Sequence, residues 1–217
     1  METDNLDQGA RGLTLIELFV VIFVIFLLAL LFLPLANHRR PIARAQRINC
    51  INNLKQVGLA FRVWASDRTG MFPMEVSVTN GGTLERVAIA QAFTHYQPLS
   101  NELATPRILV CPADKQRSPA TNFLTGFGND KLSYFVGVNA TATNSQMFLA
   151  GDGNLTNGIA KGGFLELTTN APANWTYDFH GVLENICLAD GSVQQFSSHR
   201  LREAIALSGL TNRLAMP

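Results

Sequence analysis

The feature that most constrains this chain is an apolar run near its N-terminus. Between Leu13 and Ala36 the only charged side chain is Glu17. About 20 consecutive apolar residues are enough for a helix to cross the hydrocarbon core of a bilayer. The run therefore predicts a transmembrane helix over residues 13–36. A carboxylate inside such a helix is costly unless it has a partner, which makes Glu17 a candidate functional residue.

The start of the run suggests what that partner is. If the chain is cut after Gly12, the new amine lies on Leu13, four residues and about 6 Å of helix rise from Glu17. The segment GLTLIE that begins at Gly12 resembles the prepilin signal of type IV pilins and type II secretion pseudopilins. In that family a peptidase cuts after the glycine and methylates the new terminus. The resemblance implies processing between Gly12 and Leu13, assembly through Glu17, and a helix kink at Pro34, where the family commonly has a proline.

Motifs further along the chain narrow the resemblance. They are RINCINNLKQVGLA from Arg47 to Ala60, Cys-Pro-Ala-Asp from Cys111, Ser133-Tyr134, and His180 followed after nine residues by Asp190-Gly191. Together they look like a large pseudopilin-like family of planctomycetes, verrucomicrobia and their relatives. The resemblance implies a single-pass protein of the inner membrane with its C-terminal domain outside the cytoplasm. It also implies later incorporation into a pilus or pseudopilus, with prepilin peptidase and other copies or related pseudopilins as partners.

The pattern after the apolar run predicts a helix followed by strands. Apolar residues recur at three- and four-residue spacing from Ile51 to Trp64, which places them on one face of a helix that extends over 37–68. Gly70 and Pro73 end it. The predicted class is α+β and pilin-like, with a long N-terminal transmembrane helix packed on a C-terminal antiparallel sheet. The predicted divisions are a leader (1–12), a transmembrane helix (13–36), its extramembrane continuation (37–68) and a globular domain (69–217).

Within the globular domain, turn residues separate short apolar segments of strand type. Strands are predicted at Arg107–Cys111, Leu132–Val138, Gln146–Ala150, Phe164–Thr168, Asn185–Ala189 and Ser192–Ser197, and short helices at Leu84–Tyr96 and His199–Ser208. Asp190-Gly191 lies between the last two strands and predicts a hairpin with a type I′ turn. His180 is expected to fix the loop before them by a hydrogen bond.

Charge and motifs limit the function classes. Without residues 1–12 the chain keeps 16 basic and 13 acidic residues, a formal charge of +3 that is too mild to indicate nucleic-acid binding. No enzyme motif is found, and the histidines lack ligand spacing, with His95 expected at the end of a surface helix. The prediction is a filament subunit that is not an enzyme. Two alternatives stay open: a membrane-anchored extracytoplasmic binding module, and a metal-dependent hydrolase built on His180, Asp190 and Asp152.

The three cysteines and a Gly-rich segment give the remaining hypotheses. Cys187 falls within a predicted strand and reads as a small buried apolar residue. Cys50 and Cys111 are the candidate disulfide, although the absence of any disulfide is nearly as well supported. Asp152 and Asn154 are weak calcium candidates, because their loop lacks the EF-hand spacing and equally suits a plain turn. Zinc spacing is not seen, so neither a metal nor another cofactor is predicted.

Overall fold

The structure, a computed structural model, describes residues 14–32, 39–68, 70–156, 159–161, 163–170 and 172–217. The chain divides into two compact units, Met1–Ile42 and Ala43–Pro217. The helices are α1 (Leu15–Phe32), α2 (Arg39–Ser66), α3 (Phe93–Tyr96), α4 (Ser100–Leu103) and α5 (Ser198–Ser208). The strands are β1 (Tyr134–Gly137), β2 (Phe148–Asp152), β3 (Leu155–Thr156), β4 (Ile159–Lys161), β5 (Phe164–Leu167), β6 (Asn174–Trp175), β7 (Glu184–Leu188), β8 (Val193–Phe196) and β9 (Asn212–Ala215).

Helix α1 corrects the predicted membrane segment. It has 18 residues, Leu15–Phe32. In the part of the chain that the structure describes, no helix has both the length and the apolar character that a membrane span requires. The predicted transmembrane helix over 13–36, and the inner-membrane localisation derived from it, are therefore wrong. The leader, Gly12, Leu13 and Pro34 lie outside the described residues.

Helix α2 is the central element of the second unit. The side chains of Leu54, Val57, Phe61 and Trp64 are completely buried, as their spacing predicts, while Ile51 is half-buried. The helix ends close to the predicted position, because Gly70 adopts a φ of +76° that favours glycine. The buried face of α2 belongs to the larger of two apolar cores.

The sheet of the second unit has seven strands in the order β4-β5-β9-β1-β2-β7-β8, and every pairing is antiparallel. Strands β3 and β6 form a separate two-stranded antiparallel sheet. The architecture is thus α+β with an antiparallel sheet. What differs from the predicted fold is the N-terminal part, because α1 is not a transmembrane helix.

Both faces of the large sheet are covered. Along β1, Tyr134 and Val136 point to the core that contains α2, whereas Phe135 points to a second core. This alternation is what a strand produces, since successive side chains project from opposite faces. Leu201 and Ile205 of α5 fill the second core. Helix α5 begins after Ser197, whose hydroxyl accepts a hydrogen bond from the Arg200 N–H, and it ends at Gly209 in the left-handed conformation.

Two predicted elements are wrong, and one strand was not predicted, for local and tertiary reasons. Arg107–Cys111 is not a strand, because Pro106 begins a 3-10 helix (Pro106–Leu109) that is capped by the Thr105 hydroxyl. The helix over Leu84–Tyr96 is reduced to a 3-10 turn and α3. Strand β9 was not predicted, yet it lies between β5 and β1, so the C-terminal segment completes the sheet.

The turn between β7 and β8 contains Asp190 and Gly191. Gly191 has a φ of +84°, but no positive φ occurs at Asp190, so the turn is not type I′. The Gly191 N–H donates to the Leu188 carbonyl at 2.9 Å, and the Leu188 N–H donates to the Ser192 carbonyl at 2.8 Å. These bonds describe a three-residue hairpin loop with a left-handed glycine.

Gly58 lets α2 approach this hairpin. A Cβ atom at Gly58 would lie 2.5 Å from Cys187 Sγ and 3.3 Å from Gly191 Cα. The Arg62 guanidinium, one turn further along α2, donates a hydrogen bond to the Asp190 carbonyl oxygen. The hairpin turn therefore packs against α2 at Gly58 and is hydrogen-bonded to it by Arg62.

We expect Gly58→Ala to destabilise the protein by about 1–2 kcal/mol in urea unfolding. Overpacking a core costs roughly 1–3 kcal/mol, which outweighs a gain of about 1 kcal/mol in helix propensity. In a Cys187→Ala background the closest clash is gone, and Gly58→Ala should be nearly neutral. Equal costs of Gly58→Ala in the two backgrounds would show that the helix does not approach the strand closely at this position.

His95 is buried and does not lie at the surface, contrary to the prediction. Its Nδ1 is 2.8 Å from the Thr83 hydroxyl oxygen. Burial, with a smaller contribution from the nearby Arg86 charge, lowers the pKa of His95 to about 4. The helix α3 that carries it packs inward, which the short apolar pattern around His95 did not indicate.

The buried imidazole makes stability fall in mild acid. An unfolded chain binds a proton at His95 near the ordinary pKa of about 6.5, whereas the folded chain does so near 4. The stability that the neutral His95 contributes to the folded state is thus complete above pH 6.5. Between pH 6.5 and 4 the free energy of unfolding falls by up to about 3 kcal/mol. His95→Gln should show a smaller loss of unfolding free energy between pH 7 and 4.5. His199→Gln, at an exposed position, is the matched control, and an equal pH dependence in all three proteins contradicts the assignment.

Candidate functional site

The first candidate site is the surface of α1. All 16 residues from Leu15 to Leu30 are exposed, and all except Glu17 are apolar. The exposed fraction of the large side chains runs from 46% at Val24 to 86% at Leu15. Monomeric soluble proteins rarely leave so large a contiguous apolar surface uncovered, and such surfaces mark interaction sites.

Glu17 completes a capping box at the start of α1. Its Oε2 accepts hydrogen bonds from the Thr14 N–H at 2.9 Å and the Thr14 hydroxyl at 2.7 Å, and the Glu17 N–H donates to Thr14 Oγ1 at 3.4 Å. Such reciprocal bonds satisfy donors that the first turn of a helix leaves free. Glu17 therefore has a local role here in addition to the assembly role that the sequence predicts.

The second candidate site is a group of four side chains buried between α2 and the sheet, which we call the Cys/His/Asp cluster. Its members come from α2, the segment after the 3-10 helix at 106–109, the end of β2 and the loop before β7. They are Cys50, Cys111, Asp152 and His180. Three have no exposed surface, and His180 is 9% exposed.

The members are close enough to act on one another. One sulfur, nitrogen or oxygen atom from each lies within 4.8 Å of the others. The Cys50 thiol donates to Asp152 Oδ1 at 3.1 Å, and Cys111 Sγ lies 3.2 Å from His180 Nε2. Two thiols, an imidazole and a carboxylate thus share a small buried volume.

Polar groups around the cluster hold its members in place. The Asn185 N–H and side-chain amide both donate to Asp152 Oδ2, at 2.7 and 2.9 Å. The Tyr134 hydroxyl donates to Cys50 Sγ at 3.3 Å. The Arg47 guanidinium donates to the His180 carbonyl oxygen at 2.5 Å. Because most of these groups are donors, the surroundings suit a cluster that carries negative charge.

The pKa values of the two thiols are shifted in opposite directions. The neighbouring Cys50 thiol, and then His180, lower the pKa of Cys111 to about 6 against the opposing effect of burial. Burial raises the pKa of Cys50 well above its ordinary value. For His180 the effect of burial is outweighed by Cys111 and the nearby carboxylates, which raise its pKa. The shifts thus favour the thiolate form of Cys111 and the protonated form of His180.

Glu184 is a further buried acid beside the cluster. Its Oε1 accepts from the His180 N–H at 3.1 Å and the Asn154 amide at 3.0 Å. Its Oε2 has no hydrogen-bond partner among the described residues. Burial and the adjacent Asp152 charge raise the pKa of Glu184 to about 8, so this acid is largely neutral at pH 7.

The structure brings some predicted site residues together and separates others. Cys50 and Cys111 are neighbours in the cluster, and both are free thiols in this structure. Asp152 joins them, whereas the amide of Asn154 is directed to Glu184 and to the Thr176 carbonyl oxygen at 2.8 Å. The calcium role of Asp152 and Asn154 stays a prediction.

Asp190 lies apart from the cluster, in the hairpin turn. Its Oδ1 accepts a hydrogen bond from the Ser192 N–H at 2.8 Å. Of the residues named for the hydrolase alternative, only His180 and Asp152 are thus in contact range. A nucleophilic role for Cys111 also meets an obstacle, since its side chain has no exposed surface for a substrate to reach.

Sequence reasoning missed the cluster because successive members are 28 to 61 residues apart along the chain. Metal-site motifs are recognised by short spacings, and none is present. The available signal was indirect: Cys50, Cys111 and His180 each lie in a different motif of the pseudopilin-like resemblance. Asp152 belongs to none of those motifs.

Comparison of the chain with protein-family models, with curated proteins and with solved structures gives no match. The similarity to pseudopilin-like proteins thus rests on the quoted motifs alone. Function has to be argued from the exposed α1 surface and the buried cluster.

Proposed function

We propose that this protein is a structural subunit of a filament of the type II secretion pseudopilus or type IV pilus class, and that copies assemble through α1. The observation that carries the proposal is the exposed apolar surface of α1 between Leu15 and Leu30. A helix that is apolar on all sides is buried in its working state. Bundling with α1 of other copies buries it.

In such a bundle Glu17 sets the axial offset between neighbouring α1 helices. After cleavage between Gly12 and Leu13, the carboxylate can pair with the Leu13 amine of a neighbouring copy. Burying a lone carboxylate is costly, and an amine partner offsets that cost only when the two copies have the right axial offset. In this proposal prepilin peptidase creates the amine, and the protein is its substrate and not itself an enzyme.

Processing gives the first test. The mature N-terminus, read by mass spectrometry from the native host, should be Leu13. Gly12→Leu should leave the leader attached, because the residue before the cut must be small, and Gly12→Ala should slow cleavage. A mature chain that begins elsewhere contradicts the prepilin proposal.

Assembly gives the second test. A photoreactive phenylalanine analogue at Phe23, which is 53% exposed, should yield a ladder of crosslinked copies. The same analogue at Tyr177, which is 78% exposed on the second unit, is the matched control. A ladder from Tyr177 but none from Phe23 would place the contacts elsewhere, and absence of both ladders favours a protein that does not polymerise.

Two substitutions separate the roles of Glu17. Glu17→Gln retains the capping box, which accepts glutamine, but removes the charge. Thr14→Ala removes the capping hydroxyl and keeps the charge. The Phe23 ladder should decrease about tenfold in Glu17→Gln, the factor that corresponds to about 1.4 kcal/mol, and much less in Thr14→Ala. A larger decrease of the ladder in Thr14→Ala than in Glu17→Gln would show that Glu17 serves α1 only as a cap.

A further inference from the structure

The Cys/His/Asp cluster has the composition of a metal site. Thiolate, imidazole and carboxylate are the three ligand types that zinc uses in proteins. Structural zinc sites have four protein ligands, and this cluster offers four donor atoms. Calcium and magnesium select oxygen ligands and do not suit a pair of sulfurs.

The dimensions also fit. Zn–S bonds of about 2.3 Å and Zn–N or Zn–O bonds of about 2.0–2.2 Å place tetrahedral ligand atoms roughly 3.3–3.8 Å apart. Two contacts of the cluster are 3.1 and 3.2 Å long, and all the donor atoms lie within 4.8 Å of one another. Adjustments of a few tenths of an ångström to about 1 Å bring the four atoms onto one coordination shell.

The surroundings match those of a bound metal. Ligands of zinc are commonly oriented by hydrogen bonds from neighbouring groups. Asp152 accepts two such bonds from Asn185, and Cys50 Sγ accepts one from the Tyr134 hydroxyl. The Ala113 N–H donates to Cys111 Sγ at 3.4 Å. His180 is the one member of the cluster with any exposed surface.

Charge balance is consistent with a bound ion. Without an ion the Cys50 thiol keeps its proton and donates to Asp152 Oδ1. As metal ligands, two thiolates and a carboxylate carry three negative charges, which in this buried site require a bound cation. A divalent cation reduces that total to one negative charge, next to the cationic Arg47 that anchors the His180 loop.

We propose that the Cys/His/Asp cluster binds one structural zinc ion, which joins α2 to β2 and to the loops that carry Cys111 and His180. The site is closed and fully coordinated by protein, which is typical of structural and not catalytic zinc. It does not depend on filament assembly, because all its ligands belong to the unit Ala43–Pro217.

The test uses the full-length chain, reduced and freed of metal with a chelator. Addition of Co²⁺ should produce one equivalent of a tetrahedral cobalt spectrum with a thiolate charge-transfer band, which Zn²⁺ then displaces. Zn²⁺ should raise the melting temperature, since a ligand that binds only the folded state stabilises it, and Ca²⁺ should not. A reduced, folded chain without the thiolate band overturns the proposal.

Variants identify the ligands. Cys111→Ser should weaken the thiolate charge-transfer band of the cobalt spectrum, because one of the two sulfur ligands is lost. It should also lower Zn²⁺ affinity by at least about tenfold, and Asp152→Asn should lower that affinity by a similar factor. Cys187→Ala removes a buried cysteine outside the cluster and should leave one zinc per chain. Unchanged zinc binding in Cys111→Ser overturns the assignment.

The disulfide hypothesis is the competing outcome. A Cys50–Cys111 bond makes the chain lighter by two hydrogens and removes both thiolates from the site. If protein isolated under mild, non-reducing conditions carries this bond and no zinc, the proposal fails. If a variant does not fold by circular dichroism, the zinc-dependent melting temperature of the unaltered chain decides the question.

Discussion

The contact between α2 and the sheet is the interaction on which the second unit depends. The buried face of α2 supplies large side chains to the main core, and Trp64 and Phe61 are among its largest. Burying each large apolar side chain contributes roughly 1.5–3 kcal/mol. Gly58 allows the backbone of the helix to come close to β7 and its turn, where any side chain would collide.

At the N-terminal end of the same interface, polar and ionisable groups occupy positions that apolar side chains fill elsewhere. Burying such groups is unfavourable unless they are hydrogen-bonded or coordinate an ion. The bonds from Asn185 and Tyr134 satisfy part of the requirement. A zinc ion would satisfy the rest and would strengthen the helix-to-sheet contact by a second, directional attachment. Apolar packing around Trp64 and coordination at Cys50 would then secure α2 at two places along its length.

The motifs that resemble pseudopilin-like proteins meet at this interface. Asp114 of the Cys-Pro-Ala-Asp motif accepts a hydrogen bond from the Ser133 hydroxyl at 2.7 Å, which fixes the loop that presents Cys111. Tyr134, the next residue, reaches Cys50 on α2. The Asp190-Gly191 turn is seated on α2 through Arg62 and Gly58. Residues that appear scattered in the sequence are therefore parts of one helix-to-sheet junction, which gives the motifs a shared physical role.

The sequence by itself determined the elements whose signals are local. The three- and four-residue spacing up to Trp64 predicted the buried face of α2, and Gly70 predicted where that helix ends, because both depend on neighbours along the chain. Only the tertiary structure decided the place of β9, the burial of His95 and the assembly of the Cys/His/Asp cluster. Each of these requires segments distant in sequence to meet, and no local pattern encodes which partner a strand or a thiol will find.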